Sequence, residues 1–112
     1  MIGTDIREII AEEQQVQRHK EALDSLVRRR STLLRESLEA RVRRAQDHGD
    51  WSHLSQKECA EHHQEEKLYL TWQLGRLRRE QTRTKGKLVE LKRAKAQAEL
   101  IRAALVESLK RQ

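Results

Sequence analysis

Residues 47–58 read DHGDWSHLSQKE, and this stretch decides whether the chain is one very long helix or two helices folded back on each other. Gly49 admits left-handed backbone, and the short polar residues around it compete with a helix for backbone hydrogen bonds. The end of the stretch, Ser55-Gln56-Lys57-Glu58, has capping-box spacing. The Ser55 hydroxyl can accept from the Glu58 amide while the Glu58 carboxylate returns to the Ser55 amide, and Leu54 and Cys59 stand at the flanking staple positions. A helix therefore starts afresh at residue 55, and the spacing predicts a turn over 47–54.

On either side of that turn the composition suits long helices. The 112 residues include no Pro and only 4 Gly, and Ala, Leu, Glu, Gln, Lys and Arg recur throughout. Only 36% of residues are hydrophobic and none is Phe, so a thick core is excluded and burial must come from narrow stripes. Upstream of the turn, Ile6, Ile9, Val16, Leu23, Val27, Leu34, Leu38, Val42 and Ala45 fall on one helical face, which Ile2 extends. Thr4 or Asp5 can cap its start, so the first helix is expected over 5–46. Downstream, Leu70, Leu74, Leu77, Leu88, Leu91, Ala98, Leu105 and Leu109 form a drifting heptad seam over 55–111, interrupted by Gln81, Thr84 and Lys95. Gly75 and Gly86 lie inside this helix at a cost of roughly 1 kcal/mol each relative to Ala, which leads us to expect compensating tertiary contact.

Two such helices joined by a short polar turn fold back most simply as antiparallel neighbours. The expected fold is thus all-α, a single coiled-coil hairpin over 1–112 with facing residue numbers adding to about 101 when the turn is centred near residue 50 or 51. That register sets Ile9 near Leu91, Val16 near Thr84 and Leu23 beside Leu77 and Arg78. It also brings Arg35, Arg41, Arg43 and Arg44 opposite Glu58, Glu61, Glu65 and Glu66, so charge favours the same pairing.

The register uses up the first helix near residue 96 and leaves about 20 Å of the second unpaired. This overhang contains Leu100, Ile101, Ala104, Leu105, Val106 and Leu109, which is apolar enough to call for a cover. Ile101, Leu105 and Leu109 are therefore the expected principal contact for a protein partner or for a second copy of the chain. A secondary surface is expected where Leu26 and Leu33, one heptad apart on the first helix, come level with Leu68 and Trp72, with Tyr69 nearby.

Chemistry is sparse by comparison. His48, His53, Cys59, His62 and His63 gather around the turn, and Cys59 with His62 has the i, i+3 spacing of two ligands. The set matches no zinc-binding spacing, so we expect no metal site, and His62 and His63 are read as titrating beside their glutamates. There is no GxSxG elbow and no HExxH, and TKGKL lacks the rest of a phosphate loop. A two-helix rod is also expected to offer no concave pocket, so neither catalysis nor a cofactor is expected. The single cysteine excludes an internal disulfide, and no N-terminal stretch has the apolar length of a signal peptide or membrane span, which together predict a cytoplasmic setting. A net charge of +6 keeps nucleic acid as the alternative partner, through RRR at 28–30, RVRR at 41–44, RLRR at 76–79 and KGK…KRAK at 85–95. Acidic residues follow each cluster, however, and no stacking aromatics interleave them.

The opening IREIIAEEQQVQ, the Trp-bearing middle and the basic LVELKRAKAQAELIRAALVESLKRQ together resemble the small coiled-coil stalk proteins of bacterial type III secretion and flagellar export machines. The resemblance implies a rod that docks into the centre of a hexameric export ATPase and touches the export gate. The chain is short for that family.

Overall fold

The computed structural model describes the backbone of residues 2–112 and the side chains from Ile6 onward. It is all-α: helices α1 (Ile2–Leu34), α2 (Leu38–Asp47) and α3 (Gln56–Lys110), with no strand among the described residues. α1 begins upstream of the expected start, and the proposed caps Thr4 and Asp5 have side chains outside the described set.

The expected single helix over 5–46 is in fact two. The backbone leaves the helix at Arg35 and re-enters it at Leu38, where Ser37 caps α2 by accepting from the Ala40 amide at 3.1 Å. Across the break, Glu36 receives both arms of the Arg44 guanidinium, at 3.0 and 2.9 Å. The break shifts the phase of the apolar face, and Leu38, expected in the seam, is exposed.

The chain contacts divide into two units, Met1–Asp24 with Glu80–Gln112 and Ser25–Arg79. In the first, polar pairs join α1 to α3, the earlier α1 residues Glu12 and Glu13 meeting the later α3 residues Lys87 and Lys95, and the later α1 residues His19 and Asp24 meeting the earlier Glu80 and Gln81. Lys95 reaches Glu13 at 3.1 Å, Lys87 reaches Glu12 at 3.2 Å and His19 lies 3.6 Å from Glu80. The Gln81 amide donates to Asp24 at 2.8 Å. These pairs straddle the expected register, as long side chains that reach along a helix do. Ile6, Leu23, Leu88 and Leu91 are buried in this unit, and so is Thr84, the seam's polar interruption.

In the second unit Leu74, Ala45 and Cys59 form the apolar centre, joined by Arg41 and His63. Among the described residues, Arg41 of the expected basic run pairs with an opposing glutamate, Glu66, while Arg44 turns back to Glu36. Gly75 and Gly86 need no close approach, since a Cβ at either would meet nothing within 4 Å; the burial beside them is at the seam residues Leu74 and Leu88.

Candidate interaction surfaces

The turn that opened the sequence reading is a built corner. His48 ends α2 and Gly49 follows at φ +75°, the left-handed conformation that a glycine adopts without Cβ strain. The Gly49 amide donates to Gln46 at 3.0 Å and the Asp50 amide to Ala45 at 2.7 Å, the paired bonds of a Schellman motif. Trp51 also has positive φ, at 63°, which costs a non-glycine residue about 1 kcal/mol or more. Its indole is held from two sides, by the Arg41 guanidinium 3.9 Å from the ring centre and by the His62 ring stacked at 5.9 Å. The expected capping box then closes: the Glu58 amide donates to Ser55 Oγ at 3.2 Å, and the Ser55 amide donates to Glu58 Oε1 at 3.3 Å.

The histidines around this corner have separate surroundings. His48 Nδ1–H donates to the Arg44 carbonyl at 2.8 Å. His62 is exposed, with Glu65 at 3.9 Å. His63 is buried, and neither ring nitrogen has a hydrogen-bond partner among the described residues. Cys59 is a buried free thiol. Among the described residues no group of three or more His, Cys, Asp or Glu is placed to hold a metal ion.

Beside the corner lies a concavity that the two-helix reading did not foresee. A groove of about 570 Å³ is lined by Leu26 and Leu33 of α1 and by His63, Tyr69 and Leu70 of α3. Its lining also takes Glu36 from the break before α2 and Arg41 and Arg44 from α2 itself. Two ion pairs border the groove. Arg41 grips Glu66 through Nε and Nη2 at 2.7 and 2.8 Å and holds its carboxyl below the ordinary glutamate range. Arg44 does the same for Glu36. Glu66 in turn raises the Arg41 guanidinium above its ordinary value.

The secondary surface expected from sequence is split by this geometry. Leu26 and Leu33 line the groove, together with Tyr69, whereas Leu68 and Trp72 are exposed outside its lining. Trp72 stacks on Tyr69 at 5.9 Å, and the Arg76 guanidinium sits 5.1 Å from the Trp72 ring.

In the first unit, the buried seam stops at half-buried Ala98, and every residue from Glu99 to Gln112 is exposed. Ile101 and Leu105 are each 47% exposed and Leu109 is 69% exposed, although Leu105 lies one heptad beyond Ala98 and Ile101 and Leu109 stand one helical turn to either side of it. Leu100 and Val106 flank them, also exposed. Among the described residues no helix is long and apolar enough to cross a membrane. In comparisons with protein families, curated proteins and solved structures, the chain matches none.

Proposed function

We propose that this chain is a non-enzymatic coiled-coil hairpin that works as a cytoplasmic stalk or adaptor, binding a protein partner through helical surfaces. The observation that carries the reading is that the α3 seam runs on through Leu105, flanked one turn away by Ile101 and Leu109, into a stretch where all three are exposed. A heptad stripe is a surface for another helix, and burying three such side chains contributes about 1.5 to 3 kcal/mol each. Leu68 and Trp72 supply a second exposed surface, apart from the groove that Leu26 and Leu33 line. The resemblance to type III secretion stalks supports an export ATPase as the partner class, and the opposed ion pairs along α1 and α3 support the hairpin.

The test compares the wild-type protein with a Leu105→Asp, Leu109→Asp double variant in affinity capture at moderate salt, alongside sedimentation of each alone. The reading expects a protein partner, or self-association, that the double variant loses while its helical circular dichroism is unchanged. Retention of RNA or DNA through moderate salt, with no protein bound, would instead favour a basic helical nucleic-acid-binding protein. A double variant that unfolds would show that these leucines are core.

A further inference from the structure

The groove in Ser25–Arg79 has an uneven charge arrangement. Its two carboxylates, Glu36 and Glu66, are each already gripped at two points by Arg44 and Arg41. The remaining cations on its lining are Arg29, Arg30 and Lys67. Arg30 donates to the Gln73 amide oxygen at 3.1 Å, and among the described residues Arg29 and Lys67 have no carboxylate partner. The groove is thus apolar between its walls, basic along its edges, and has spare positive charge where its own acids are spoken for.

We propose that this groove docks an acidic amphipathic helix of a protein partner, its apolar face between Leu26, Leu33, Tyr69 and Leu70 and its carboxylates on Arg29 and Lys67. Leu26 and Leu33 stand one heptad apart, which matches the ridge spacing of an inserted helix. The walls are themselves helices, so they offer no strand edge for an extended peptide to pair with. Charge complementarity selects acid over base, because a basic segment would meet three cations and two carboxylates that are already paired. A nucleic-acid backbone fits less well, because its phosphates leave the apolar walls uncovered, whereas an amphipathic helix buries its apolar face there and places single carboxylates where the free cations are. The proposal rests on the partner-binding reading, extends it to the groove, and uses residues other than those of the α3 end.

The probes are three labelled synthetic helices with the same leucine spacing and Glu, Lys or Gln at the polar positions, titrated against the whole protein by fluorescence anisotropy. The Glu helix should bind at least about tenfold tighter than the Lys helix, with the Gln helix between them. Arg29→Glu with Lys67→Glu should reverse that order. Leu33→Asp should remove binding of all three, with Leu33→Gln as the milder variant if circular dichroism shows that Asp perturbs folding. Leu105→Asp with Leu109→Asp should leave the Glu helix bound, which separates this groove from the α3 surface. Equal binding of Glu and Lys helices, an order unchanged by the double reversal, or loss of binding through the α3 variant would each overturn the proposal. So would a duplex oligonucleotide or anionic lipid vesicles binding through Arg29 and Lys67 while the Glu helix does not bind.

Discussion

Arg41 joins three parts of its unit at once: two of its nitrogens hold the Glu66 carboxylate at 2.7 and 2.8 Å, and its guanidinium lies 3.9 Å from the centre of the Trp51 ring. The residue comes from α2, its ion partner from α3 and its ring partner from the turn between them. Only 9% of Arg41 is exposed, so its charge depends on that partner. Glu66→Ala should therefore destabilise the protein by about 1 to 2 kcal/mol, the lower part of the range for a charged hydrogen bond because Glu66 remains partly in water. Arg41→Lys keeps the charge but loses the two-point geometry and the flat contact with Trp51, and it should cost about 1 kcal/mol. Urea unfolding of both variants measures these values.

The same pairs set an acid limit. Glu66 and Glu36 titrate below the ordinary glutamate range, held there first by hydrogen bonds from Arg41 and Arg44, and Asp24 is lowered by its bonds from Lys20 and Gln81. A carboxyl whose folded pKa is depressed contributes stability above its unfolded pKa, and loses it as pH falls through the lowered folded value. Stability should thus begin to fall as pH drops into the ordinary carboxylate range and continue to fall below it. Glu66→Gln with Glu36→Gln should flatten that slope. Urea midpoints measured from neutral pH down to acid check the sign, and a double variant with the wild-type slope would refute it.

The glycines divide by backbone. Gly75→Ala and Gly86→Ala place a methyl group in open space on a helix and should each stabilise by about 0.5 to 1 kcal/mol. Gly49→Ala, at φ +75°, should destabilise by about 1 kcal/mol or more even though the space beside it is open, because the cost is conformational. Thermal midpoints of the three variants separate the two cases.

Local signals account for what the sequence made legible. The Ser55–Glu58 capping box joins neighbours three residues apart, and its residue types state the geometry outright. The seam residues Leu23, Leu74, Leu88 and Leu91 follow helical period, and they are buried. The break at 35–37 was hidden because no Pro or Gly marks it and because Leu34, Leu38 and Val42 keep the apparent period across it. Its signal was Ser37 followed by Glu39, a cap with an acid in the first turn, which a continuous stripe outweighed. Glu36 of the break and Arg41 and Arg44 of α2 line the groove, so it was illegible for the same reason. His62 and His63, adjacent and alike in sequence, differ because successive residues on a helix point about 100° apart.

His63 offers a check on that separation. A buried imidazole without a hydrogen-bond partner is a cost to folding, and an apolar side chain of similar size removes it. His63→Leu should leave stability unchanged or raise it by about 1 kcal/mol, whereas His62→Leu, at an exposed position, should change it by less than about 0.5 kcal/mol and weaken the stack on Trp51. Tryptophan emission distinguishes the two, since Trp51 is His62's ring partner and not His63's.

The central claim is that α1 and α3 lie side by side in opposite directions, and a spin-label distance between positions 7 and 93 tests it most directly. Both positions are exposed arginines, and Cys59→Ala removes the native thiol before Arg7→Cys and Arg93→Cys are labelled. Neighbouring helices pack about 8 to 10 Å apart, so with the reach of the labels the account predicts a single population on the order of 20 to 30 Å in the monomer. One continuous helix would separate the same positions by more than about 100 Å at roughly 1.5 Å per residue, and that result, from a monomer, would contradict the hairpin and the α3 surface derived from it.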